Sequence, residues 1–98
     1  MRKITISEIK EGMRNITVEG VVIKKSEAKI INTRFGPALF AYAIIEDETG
    51  RIRLNLWRRQ VEIVRVGAKI RAVNAFVKEF GGNLELNVGR DGRIEVIE

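Results

Sequence analysis

The chain contains neither cysteine nor histidine. Without cysteine there is no disulfide framework and no thiolate ligand for a metal. Without histidine the commonest nucleophile–base pairs, most zinc sites and the usual proton shuttle near neutral pH are also gone. A catalytic site would have to come from Asp, Glu, Lys, Arg, Ser, Thr and Tyr alone, and the clustered inward-facing carboxylates of a nuclease are not found. The acidic triplet Glu46-Asp47-Glu48 is no substitute, because a strand end cannot turn three consecutive carboxylates onto one ion. The chain is therefore read as non-enzymatic, with no metal and no cofactor. No apolar run approaches the roughly 18 residues that a membrane span needs. Met1-Arg-Lys is followed by Ile4-Thr-Ile-Ser, without the apolar block of a secretory signal.

What is present is cationic and β-branched. Among 98 residues, 18 are Lys or Arg and 13 are Asp or Glu, a net charge of +5 with a pI near 10.0. That balance favours a polyanion as partner. Hydrophobic content of 45% beside 32% charge is that of a folded chain, and the length suffices for one core and one domain, 1–98. Abundant Ile, Val, Lys, Arg and Glu with a single glutamine, Gln60, hint at a thermophilic source.

Read along its length, the chain opens on a lead-in segment, 1–14, in which Ser7 to Gly12 forms one helical turn with Ser7 as N-cap and Gly12 as C-cap. A long strand, 15–25, follows, with Gly20 marking a bend inside it. Residues 26–37 are a loop or hairpin tip carrying Lys29, Arg34 and Phe35. A second strand covers 38–46, Asp47-Glu-Thr-Gly50 is a tight turn, and a third strand is 51–57. Arg58 to Arg65 breaks the alternation and reads as a short helix whose Val61, Ile63 and Val64 can plug a barrel end. A fourth strand is 69–80, Gly81-Gly82 a hairpin turn, and a fifth strand 83–88. Gly89-Arg-Asp-Gly92 is another turn, and 93–98 a closing strand or tail. Five strands with a short helix between the third and fourth is the layout of an all-β OB-fold barrel.

Residues of equal parity share a face of a strand. In the third strand Ile52, Leu54 and Leu56 point inward, while Arg51, Arg53, Asn55 and Trp57 point outward. In the fourth, Phe76, Lys78 and Phe80 share the face opposite Ala75 and Val77. Flat rings beside cations on the outside of a small β protein offer unpaired bases a stacking surface and phosphates a countercharge. Lys24, Lys25, Arg71, Arg90 and Arg93 are further candidates for an electrostatic groove. The stripe Phe40, Tyr42 and Ile44 also comes out on the outer face, beside inward Ala41, Ala43 and Ile45. Three readings stay open for it: stacking surface beside Trp57, a protein interface such as a homodimer, or a one-residue slip in the assigned register.

The segments Ser7-Glu-Ile-Lys-Glu-Gly-Met13, Ser26-Glu-Ala28, Asn32-Thr-Arg34, Glu46-Asp-Glu-Thr-Gly50, Leu54-Asn-Leu-Trp57 and Leu84-Glu-Leu-Asn-Val-Gly89, in that order, resemble the archaeal single-OB-fold single-stranded DNA-binding proteins and the OB domains of the replication protein A group. The resemblance runs from about Ile6 to Val88. It implies sequence-tolerant single-stranded DNA binding in replication, repair and recombination, in the cytoplasm with the nucleoid. It also implies base stacking on Trp57, Phe76 and Phe80, and contacts from Lys29, Ile31, Thr33 and Arg34 in the loop between the first two strands; Arg53, Asn55 and Lys78 join these on the strand faces. Two departures stand out: relatives often have glycine where this chain has Arg58, and many carry a flexible C-terminal tail, whereas the sequence stops at Glu98. Alternative readings are a protein-interaction subunit of a replication protein A-like complex, pairing with another OB-fold chain, and an RNA-binding module.

Overall fold

Gly20 lies where one strand serves two halves of a barrel. The computed structural model describes residues 2–98. In it β1 (Arg2–Ile4) lies parallel to β2 (Ile16–Lys25), and β2 pairs antiparallel with β6 (Lys69–Phe80) over Ile16–Val21 and with β4 (Gly36–Asp47) over Val21–Lys25. A Cβ on Gly20 would stand 3.1 Å from the Glu46 carbonyl oxygen and 3.2 Å from the Ile45 Cβ, so the absence of a side chain lets β4 approach. β4 continues through the Asp47–Gly50 turn into β5 (Gly50–Trp57), and β6 through Gly81-Gly82 into β7 (Asn83–Val96). β5 and β7 close the barrel by a parallel contact, Arg53 opposite Glu85 and Leu54 opposite Leu86. The five barrel strands are thus β2, β4, β5, β6 and β7, with α1 (Arg59–Ile63) between β5 and β6 as the sequence implies.

Alternation fills the interior. Val18, Ala41, Ala43, Ile45, Leu54, Leu56, Ile70, Ala72, Ala75 and Leu86 are fully buried, and Val61 and Val64 cover one end. Four of these are alanines, Ala41 and Ala43 on β4 and Ala72 and Ala75 on β6, whose small side chains suit a narrow barrel. The Asp47 turn is held by its own carboxylate, which accepts the Thr49 N–H at 2.7 Å, the Gly50 N–H at 3.1 Å and, from the lead-in segment, the Ile6 N–H at 2.9 Å. Desolvation pushes that carboxyl up. Hydrogen bonds from the Thr49 hydroxyl and the three amides outweigh it and hold the group below its ordinary value.

Four local expectations need correction. The lead-in turn is a 3-10 turn over Ile6–Glu8 capped by Thr5, not by Ser7: the Glu8 carboxylate accepts both the Thr5 N–H and hydroxyl at 2.8 Å. Residues 26–37 are largely structured, because β3 (Lys29–Thr33) pairs with the start of β4 and leaves Arg34 and Phe35 as the tip. Ile63 is exposed and does not plug the barrel. Gly89 to Gly92 does not end the fifth strand: the chain stays extended, and the four residues bulge opposite Asn74 as the β6 register shifts from Val73–Arg93 to Ala75–Val88. Arg93 to Val96 then pairs with Ile70 to Val73.

Candidate nucleic-acid interface

Cross-strand register aligns the outward residues in rows. Phe40 faces Trp57, Tyr42 faces Asn55, and Ile44 faces Arg53 across β4 and β5; Phe76 faces Asn87 and Lys78 faces Glu85 across β6 and β7. The parallel β5–β7 contact joins the two halves through Arg53 and Glu85. One curved outer face therefore carries Phe40, Tyr42 and Trp57 on one flank and Phe76 on the other, with polar residues between them.

Trp57 is half-buried, its ring centroid 4.6 Å from that of Phe40 at an interplanar angle of 56°. The only glutamine sets its backbone: Gln60 Oε1 accepts the Trp57 N–H at 2.9 Å, and Gln60 Nε2 donates to the Val88 carbonyl at 3.1 Å. Phe76 is also half-buried, and its Cε1 lies 3.4 Å from where a Cβ on Gly89 would sit, so the ring rests against β7 backbone. The Lys78 ammonium is 5.8 Å from the Phe76 ring centroid. Phe80, 75% exposed, stands next to the β6–β7 turn. A groove of about 870 Å³ runs between the outer face of β4–β5 and this hairpin, lined by Tyr42, Ile44, Arg53, Phe80 and Glu85 among others.

The polar centre is a closed network. Arg53 Nε donates to Asn55 Oδ1 at 2.9 Å, and Asn55 Nδ2 donates to Glu85 Oε1 at 2.9 Å and Asn87 Oδ1 at 3.1 Å. The Arg53 guanidinium also lies 4.2 Å from the Tyr42 ring centroid and 3.7 Å from Glu85 Oε2. Asn55 is only 8% exposed, the one buried polar residue of the described chain, and its network leaves no side-chain polar atom unpaired. Arg51 is likewise engaged, by Glu46 at 2.6 Å. Lys24, Lys29, Arg34 and Lys78 form no ion pair among the described residues and are exposed. Cations at the centre are thus already neutralised, and those at the rim are not.

Sequence parity placed these residues on the correct face. Phe40, Tyr42 and Ile44 are outward, with Ala41, Ala43 and Ile45 fully buried behind them, so no register slip exists. Lys29, Ile31 and Thr33 pair with Phe40, Ala38 and Gly36, which carries the same face onto β3. Two groove candidates belong elsewhere. Arg71 and Arg93 lie in an ion-pair lattice on the far wall, where Lys3 and Arg71 hold Glu19 at 3.2 and 2.8 Å, and Arg71 and Arg93 hold Glu95 at 3.2 and 2.8 Å. The Arg71 hydrogen bond holds the Glu19 carboxyl below its ordinary value, Arg93 does the same for Glu95, and the two carboxylates raise Arg71. Lys25 is drawn inward to donate to the Val61 carbonyl. Glu85 and Asn87 are the site residues the sequence reading passed over. Their outward parity beside Leu84, Leu86 and Val88 was the available signal.

A closed five-stranded barrel with this face is an OB-fold of the nucleic-acid-binding type. The chain belongs to the Ssb-like single-stranded DNA-binding OB-fold family, whose model matches residues 8–96. It is 33% identical over 89 residues to the single-stranded DNA-binding protein Ssb of Saccharolobus solfataricus, covering 91% of this chain and 60% of that protein. It is 31% identical over 98 residues to replication factor A of Methanothermobacter thermautotrophicus, covering 96% of this chain and 12% of that one. The chain thus spans 60% of the length of the first relative and 12% of the second. The OB domain of Ta0387 from Thermoplasma acidophilum superposes with a TM-score of 0.85 at 26% identity, over 99% of this chain and 88% of that one. Among the described residues no helix is long and apolar enough to cross a membrane.

Proposed function

We propose that this chain binds single-stranded DNA with little sequence preference, in the service of replication, repair and recombination. Bases stack on Trp57, Phe76 and Phe80, and Phe40 and Tyr42 widen the platform around Trp57. Phosphates run along the rim, where Lys29, Arg34 and Lys78 supply countercharge, with Ile31 and Thr33 lining the β3 side. The observation that carries this reading is the separation of charge on one face: rings and a pre-neutralised polar network at the centre, unpaired cations at the edge. Stacking tolerates any base, since each has a π face, and one OB-fold covers roughly 4–16 nucleotides, here about 5.

The Phe40–Tyr42–Ile44 stripe supports the same reading, because Phe40 touches Trp57 and Tyr42 packs on Arg53. Titration of intrinsic Trp57 fluorescence with oligo-dT at two salt concentrations tests the proposal. Strong quenching is expected, weakening by about 0.7 log units of affinity per log unit of salt for each phosphate neutralised. A folded sample that shows no quenching at low salt would overturn it. A parallel titration with oligo-U separates DNA from RNA, and light scattering of the free protein tests a homodimer through the same stripe.

A further inference from the structure

Three non-glycine residues among those described have positive φ: Asn15 at 56°, Arg58 at 56° and Asn74 at 58°. Asparagine tolerates this region because its short amide can bond locally. Here the two asparagines bond each other, Asn15 Nδ2 donating to Asn74 Oδ1 at 2.8 Å. Arg58 has no such compensation. Its φ of 56° with ψ of −121° is the first central position of a type II′ turn, a place dominated by glycine. The backbone is fixed there, its N–H donating to the Leu39 carbonyl at 2.8 Å and its carbonyl accepting from the Val61 N–H at 3.1 Å. A long side chain costs free energy in this conformation that glycine would avoid. The Arg58 side chain is exposed and makes no ion pair or hydrogen bond among the described residues, so no contact within the fold offsets that cost.

The position gives the strain a meaning. Arg58 directly follows Trp57, and its amide is tied to the residue preceding Phe40, so it stands at the margin of the Phe40–Trp57 ring pair. We propose that Arg58 is a phosphate-binding residue, taking a phosphodiester oxygen pair beside the base stacked on Trp57. A guanidinium suits the role because its forked donors match two phosphate oxygens and its charge does not titrate. The inference rests on the single-stranded DNA reading of the face and adds a contact to it.

Arg58→Gly removes the charge and the strain together, and Arg58→Lys keeps both. Arg58→Gly should melt about 4–8 °C higher than the parent. Its affinity for oligo-dT should nevertheless fall roughly 3- to 10-fold, with the salt slope reduced by about 0.7. Arg58→Lys should keep the parental salt slope and melting temperature. A glycine variant that is more stable yet binds with parental affinity and slope overturns the phosphate role. One that is no more stable overturns the strain argument. If Trp57→Ala weakens binding while Arg58→Gly does not, only this inference falls. If the parent protein itself does not bind oligo-dT, the reading of the whole face falls with it.

Discussion

Replacing Trp57 with alanine separates the work of the rings from that of the charges. The indole has one flank against Phe40, at 4.6 Å between centroids, and its backbone is pinned through Gln60. It is therefore oriented before any nucleotide arrives, and little ordering entropy remains to be lost on binding. A stacked base contributes roughly 1–3 kcal/mol by alanine substitution, so affinity for oligo-dT should fall about 5- to 150-fold. Neither ring carries charge, and the slope of log affinity against log salt should stay at the parental value. The substitution also strips Phe40 of its partner. An aromatic pair contributes about 0.5–1.5 kcal/mol beyond area burial, which predicts a fall in melting temperature of several degrees, about 4–8 °C per kcal/mol. Because Trp57 is the only tryptophan, binding must be followed by anisotropy of a labelled oligonucleotide, with melting by circular dichroism. Trp57→Phe should recover most of the affinity. A variant within twofold of the parent in affinity, or one that loses salt slope in place of affinity, would refute the assignment of Trp57 to a base.

Three further outcomes follow from the same geometry. Arg53→Met with Glu85→Gln removes a neutral pair and should leave the salt slope unchanged, whereas Lys29→Ala should lower it by about 0.7; Arg53→Met alone, which leaves the Glu85 carboxylate uncompensated on the face proposed for a polyanion, should bind more weakly than the double variant, and equal binding would count against the network. Glu19 and Glu95 have folded pKa values below their ordinary 4.5, so between the two values the unfolded chain holds more protons than the native one. Their contribution is fully present above about pH 5 and is lost as pH falls through the lowered values, so melting temperature should be flat from pH 7 to 5 and then decline, with a shallower decline in Glu19→Gln. Gly92→Ala would place a Cβ 2.5 Å from the Val73 carbonyl oxygen and 2.9 Å from the Asn74 carbonyl oxygen, both backbone atoms. Overpacking of this kind costs about 1–3 kcal/mol, and a variant that melts at the parental temperature would mean the bulge relaxes freely.

Parity carried most of the fold, because burial enforces it. A one-residue slip in β4 would expose Ala41, Ala43 and Ile45 and bury Tyr42, so alternation alone sufficed to turn Phe40, Tyr42, Trp57, Phe76 and Phe80 outward. The errors fell where local sequence is ambiguous. Gly89-Arg-Asp-Gly92 has turn composition, yet the pairing of Arg93–Val96 with Ile70–Val73 holds the chain extended and turns the excess residues into a bulge. Thr5 and Ser7 are equally good caps by type, and only the reach of Glu8 back to Thr5 chooses between them.

The charges are a different matter, because parity gives a face but not a partner. Arg53 and Lys29 look alike in the sequence, each a cation on the outer face. They differ because the parallel contact between β5 and β7 brings Glu85, 32 positions away, up to Arg53, and nothing comparable reaches Lys29. A cation already held by a carboxylate releases few counterions when a phosphate approaches, and one at the rim releases its own. That distinction predicts where the DNA backbone runs. On the proposed reading it would follow the edge through Lys29, Arg34 and Lys78, and the bases would turn inward over a centre where Glu85 makes a phosphate unwelcome.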